Sequence, residues 1–107
     1  SQLLGLIPEG YQYATKAIEI LHANGDKRNL AHVYHTLGFI LDDLGKQEER
    51  LEINKKCLSI SRELNEEDWI LRSLNNTGDC YTKLNKYEEA ISFFRECLSL
   101  IALVIVL

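Results

Sequence analysis

A chain of 107 residues suits one compact unit and leaves no room for two domains. Apolar residues make up 46% and charged residues 26%, which excludes a disordered chain. The formal charge of −4, with Lys and Arg scattered among acids, gives no basic footprint for nucleic acid and no patch for an anionic membrane.

The spacing of apolar residues predicts five helices, near 8–23, 27–44, 47–64, 67–84 and 87–104. The first contains Tyr11, Tyr13, Ala14, Ala17, Ile18 and Ile20. In the second, Leu30, Val33, Tyr34, Leu37 and Leu41 recur at three- and four-residue steps and form one stripe. The third carries Leu51, Cys57 and Leu58, with Arg50 and Asn54 among them. The fourth carries Ile70, Leu71, Leu74, Tyr81 and Leu84, the fifth Ile91, Phe94, Cys97 and Leu98. Breaks fall at Asn24-Gly25, Gly45, Asn65 and Asn85, residue types that tolerate the left-handed conformation ending a helix. Asn65 is also expected to cap the fourth helix, with Glu66, Glu67 and Asp68 in its positive first turn. Apart from the apolar tail, no alternating run of useful length suggests a strand.

The segments repeat. Leu44-Gly45-Lys46-Gln47-Glu48-Glu49-Arg50-Leu51 aligns with Leu84-Asn85-Lys86-Tyr87-Glu88-Glu89-Ala90-Ile91 at a constant offset of 40. The offset persists at Cys57-Leu58-Ser59 against Cys97-Leu98-Ser99 and at Gly38 against Gly78. Stepping back from Cys57-Leu58 lands on Ala17-Ile18. The expected organisation is a single domain, 1–107. Residues 1–25 form the second half of a repeat, 26–65 a full repeat, and 66–107 a repeat with an apolar tail.

The last repeat resembles the tetratricopeptide repeat family most closely. Leu74, Gly78, Tyr81, Tyr87, Ala90, Phe94 and Cys97 fall where that pattern wants large, small, aromatic, aromatic, small, aromatic and small. Gly78 and Ala90 leave space where paired helices cross, and the aromatics fill around them. The middle repeat keeps Tyr34, Leu37 and Gly38 but has Arg50 at the small position and Asn54 at the aromatic one. Arg50 is expected to snorkel its charge to solvent. A 40-residue unit exceeds the usual length of about 34. Together with Asn75-Asn76-Thr77-Gly78, it looks like the long repeats of kinesin light chains and of bacterial signalling proteins. The resemblance implies an all-α, right-handed superhelix of antiparallel helix pairs, an α-solenoid of about two and a half repeats. It implies a scaffold that binds protein or extended peptide and is not an enzyme.

In such a stack the first helix of each pair lines the concave face. Once the packing stripe is set aside, the inward positions are His32, His35, Thr36, Phe39, Asp42 and Asp43. Their counterparts are Arg72, Asn75, Asn76, Asp79, Thr82 and Lys83. Amide side chains carry a donor and an acceptor together, which suits a peptide backbone. By resemblance Asn76 leads the ligand-binding candidates, followed by Asn75 and Arg72, then Asp79, His35, Thr36, Phe39 and Asp42. The bland alternative is a solvated helix face.

His32 and His35 sit three apart and share a face, but no third ligand has a fixed place, so no metal is expected. A Gly-rich phosphate loop, a nucleophile elbow and HExxH are all missing, and no catalytic residue or cofactor is expected. The three cysteines, Cys57, Cys80 and Cys97, are odd in number and form no CxxC. They read as buried, reduced thiols of a cytoplasmic protein, with Cys80 partly buried. Trp69 is expected to cover the joint with the preceding helix, with ligand stacking as the alternative. Tyr11 and Tyr13 are expected to cover the open N-terminal end or to have packed against a further helix that precedes it. Methionine is absent and the chain opens at Ser1, which reads as a fragment of a longer protein.

The run from Leu100 to Leu107 has no polar face and is too short for a bilayer, which needs about 20 apolar residues. Truncation within a longer repeat array is the preferred reading. Self-association through residues 98–107 and a divergent end are the others. The alternative function is a regulatory or oligomerisation segment attached to a signalling effector domain.

Overall fold

A computed structural model of the chain describes residues 2–106, with side chains for 8–103 and 105. It contains five helices: α1 (Gln2–Asn24), α2 (Lys27–Asp43), α3 (Gln47–Glu63), α4 (Glu67–Lys83) and α5 (Tyr87–Val106). All five were expected, and α2 to α5 start at the expected residue. The difference is at α1, which begins six residues earlier and runs on around Pro8. A helical proline removes one backbone bond, and here that loss does not end the helix.

The connections show why the breaks fall every 20 residues. Gly25, Gly45, Asn65 and Asn85 have φ of 69°, 74°, 55° and 61°. Each donates to the carbonyl three residues back, and the following N–H reaches five residues back. At Gly45 these bonds are Gly45 to Asp42 (3.0 Å) and Lys46 to Leu41 (2.9 Å). This is the Schellman arrangement, which satisfies carbonyls otherwise orphaned at a helix end. Asn65 does not have the second role expected of it. Its left-handed backbone ends α3, while Glu66 stands at the cap of α4 without a side-chain cap bond. Asp26 does cap α2, accepting from the Asn29 N–H at 3.3 Å.

Each helix packs on the next, α1 on α2, α2 on α3, α3 on α4 and α4 on α5. The extents of 44 × 34 × 20 Å describe a slab, as stacking of pairs in one dimension gives. Leu30, Ala31, Tyr34 and Cys57 form one buried cluster, joined by Ile18, Leu21, Ile53 and Ile60. Ala14, Leu37 and Leu41 form the next, with Tyr11 and Ile40 against them. Tyr11 is thus half-buried as expected, whereas Tyr13 is 74% exposed. Cys80 is fully buried rather than partly so.

The crossings confirm the repeat register. Ala90 is buried, and a Cβ added to Gly78 would stand 2.7–3.0 Å from three ring atoms of Phe94. At the equivalent crossing, a Cβ on Gly38 would stand 2.7 Å from the Asn54 Oδ1. Asn54 therefore takes the space that Phe94 fills 40 residues later.

Arg50 does not snorkel. It is 2% exposed, because the position that holds it lies inside the α3–α4 contact and offers no path to water. Its guanidinium donates to Asp79 Oδ2 at 2.9 Å and Gln47 Oε1 at 3.1 Å, with Asp42 Oδ1 at 3.5 Å. Three helices, α2, α3 and α4, are tied at this one charge.

Candidate functional site

Two stripes face each other across successive first helices. On α2 it runs His32, His35, Phe39, Asp42, and on α4 Trp69, Arg72, Asn76, Asp79, Lys83. Both have the three- and four-residue steps that place side chains on one helix face.

The upper part is aromatic. Trp69 stacks on His32, with centroids 4.2 Å apart and planes at 22°, and meets His35 edge-on at 5.0 Å. His35 meets Phe39 edge-on at 4.8 Å. The Arg72 guanidinium lies 5.2 Å from the Trp69 ring, at cation–π distance. No carboxylate reaches Arg72 among the described residues. Phe39 is 49% exposed, an aromatic with one side open to solvent.

At the centre the Asn76 amide nitrogen lies 3.3 Å from His35 Nδ1. The amide donates when the imidazole is neutral with its proton on Nε2. Burial first, then the positive fields of Arg72 and His32, pull His35 below its ordinary value of 6.5, which favours that neutral form.

The lower part is ionic. Lys83 donates to both Asp42 oxygens at 2.7 and 2.8 Å and stands 3.5 Å from Asp79. Gln47 donates to Asp42 at 2.7 Å. Burial works against the Asp42 carboxylate, but the bonds from Lys83 and Gln47 outweigh it and hold the group below the usual range. Lys83 is raised, chiefly by its bond to Asp42.

Of the eight candidates read from the sequence, the structure brings His35, Phe39, Arg72 and Asn76 into one continuous surface. Asp42 and Asp79 join the same stripe, but their charges are engaged by Arg50 and Lys83. Thr36 is exposed and its hydroxyl donates to the His32 carbonyl at 3.2 Å. Asn75 is exposed, one position off the stripe. Asn76 is half-buried, so it is not the free-standing amide that the sequence suggests. Trp69, for which ligand stacking was the alternative expectation, and Arg50 adjoin this surface without having been among the eight candidates. Trp69 lines a small crevice with Ser61 and Leu64 at the α3–α4 joint, as expected, and in addition stacks across to α2. Its three-residue spacing from Arg72 was the available signal.

Burial pushes the thiols of Cys57 and Cys80 up, away from the thiolate that nucleophilic chemistry requires. Among the described residues no group of three or more His, Cys, Asp or Glu could hold a metal ion, and no helix is long and apolar enough to cross a membrane.

Neutral His35 makes the site acid-sensitive. Its folded pKa lies below the unfolded one, so the unfolded chain binds the proton more readily on acidification. The stability it confers is fully present above about pH 6.5 and falls as the pH drops towards the folded pKa. Thermal melts from pH 7.5 to pH 5 are expected to show a falling Tm, with a shallower slope in His35→Gln. Identical slopes would disconnect His35 from the effect.

Consecutive antiparallel helix pairs with a repeated 40-residue register define an α-helical solenoid. Two sequence models of the tetratricopeptide repeat match, one over residues 30–68 and one over 51–101, and the chain belongs to the tetratricopeptide repeat family. Its fold is similar to the crystal structure of the TPR domain of Arabidopsis FLU. The TM-score is 0.82 at 24% identity, over 90% of this chain and 81% of that one. These matches give the family and the fold, not the kinesin-light-chain-like type. No curated protein sequence matches. Members of this family generally act as protein-binding scaffolds.

Proposed function

We propose that the α2–α4 stripe binds an extended peptide, making the chain a protein-interaction module. The observation that supports this most is an open aromatic beside an unpaired cation and an amide: Phe39, Arg72 and Asn76. Phe39 offers apolar area, Arg72 a partner for a carboxylate, and the Asn76 oxygen an acceptor for a backbone N–H. Asn75 and Thr36 stand at the edge for further polar contacts. Asp42 and Asp79 contribute through the exposed edges of their ion pairs. A cytoplasmic setting is part of this reading, and residues 1–107 act as one domain.

The test uses a peptide selected on the wild-type domain from a random display library. Arg72→Ala and Asn76→Ala are each expected to weaken it by about tenfold, roughly 1.4 kcal/mol. The half-buried Asn76 also bonds His35, so a melting curve accompanies its affinity. Unchanged affinity in both folded variants would remove the stripe from the binding site.

A second reading is self-association, favoured by α5. Leu98, Leu103 and Ile105 are 66%, 58% and 78% exposed, and Ile101 is 39% exposed. Forty residues earlier, Leu58 and Ser61 are buried. Exposed apolar area of that kind marks association surfaces. Leu107 and the side chains of Val104 and Val106, part of the expected contact, lie outside the described residues. Sedimentation is expected to show a dimer with residues 101–107 and a monomer without them. A monomer in both cases contradicts this reading.

A further inference from the structure

The opposite side of the slab carries a groove that the internal repeat makes twice. The first copy lies between α1 and α3 over a floor of Leu30, Tyr34 and Ile60, with Gly25 and Lys27 at one end. The second is bordered by Asn65, Glu67, Ile70, Leu71 and Leu100. Gly25, Lys27, Leu30 and Ile60 in the first match Asn65, Glu67, Ile70 and Leu100 in the second, each 40 residues on.

The copies differ in size and in charge. The second holds about 130 Å³, and beside it Arg62 and Glu96, paired at 2.6 Å, line a separate hollow between α3 and α5. The matching residues of the first groove are His22 and Lys56, which cannot pair with each other, and it holds about 420 Å³. Lys27 at the rim is paired with Glu63. Lys56 instead sits 5.9 Å from the Tyr34 ring, with no carboxylate on it among the described residues. The result is an apolar trough with a free cation on its lip.

We infer that the groove between α1 and α3 is a second docking site, for a peptide segment that places large apolar side chains beside a carboxylate. Complementarity selects that occupant. The floor of Leu30, Tyr34 and Ile60 takes the apolar side chains. Lys56 takes the carboxylate, in the place where Glu96 serves Arg62 in the next repeat. A cavity of this size accepts roughly two large side chains. The site is independent of the α2–α4 stripe, because α2 meets it through Leu30 and Tyr34 on its other face.

The probe is a short soluble peptide alternating glutamate with leucine and phenylalanine, with a control that carries lysine in place of glutamate. Titration followed by amide NMR is expected to shift Gly25, Leu30 and Ile60 with the acidic peptide. The control is expected to bind at least about tenfold more weakly. The double substitution His22→Arg with Lys56→Glu installs the Arg62–Glu96 pair of the next repeat on two exposed positions. It is expected to weaken the acidic peptide by at least about tenfold at an unchanged melting temperature. Undiminished binding in the double variant, equal binding of the lysine peptide, or no shift at Gly25 and Leu30 up to about 1 mM would each overturn the assignment.

Discussion

Arg50→Ala is expected to destabilise the fold by about 3 kcal/mol, the largest effect of any single truncation at this junction. Two losses combine. The side chain is 2% exposed, so its removal leaves a hole between α3 and α4. Asp79 also loses its 2.9 Å partner and keeps only Lys83, at 3.5 Å. The charge itself contributes less than the packing. The Arg50 Nε has no hydrogen-bond partner, and desolvating a guanidinium offsets much of what its ion pairs return. Arg50→Met, which keeps most of the stem, is therefore expected to cost less than about 1 kcal/mol. Urea denaturation of the two variants separates the contributions. Equal losses would mean that the ion pairs dominate.

Gly78→Ala is expected to cost about 1–2 kcal/mol, although alanine is the better helix former by about 1 kcal/mol. The added methyl would stand 2.7–3.0 Å from the Phe94 ring, and the ring must leave its slot. Combining it with Phe94→Leu relieves the collision, so the double variant should lose less than the sum of the single losses. Strict additivity by thermal melting would show that the ring and Gly78 are not in contact.

These two positions show how far the sequence reached. Gly78 and Ala90 could be placed at crossings because a small residue in a repeated helical stripe has one common use. The 20-residue rhythm of Gly25, Gly45, Asn65 and Asn85 was equally legible, since few residue types accept a left-handed backbone. Arg50 was misjudged because a long cation on a helix usually finds water. The two carboxylates and Gln47 that hold it come from α2, α3 and α4, and no local pattern joins them. The candidate face was legible as a stripe on each helix. Which members remain free was not, because Asp42 meets Lys83, and His35 meets Asn76, across a 41-residue separation. That register depends on how α2 and α4 lie against each other.

The same limit applies to Trp69. Its place near the start of α4 suggested a cover for the joint with α3. Its stack on His32 becomes visible only once the two helices are set side by side. The aromatic cluster gives the face a rigid wall, and Phe39 and Arg72 stand at its open edge.

The most direct test of the peptide-binding reading is an NMR titration of the domain with the library-selected peptide, following the Asn76 and Trp69 side-chain N–H signals and the backbone amides of α2 and α4. The account predicts shifts concentrated at His35, Phe39, Trp69, Arg72 and Asn76, lost in parallel when Arg72 is replaced by alanine. Saturable binding that leaves these five residues unshifted would contradict it.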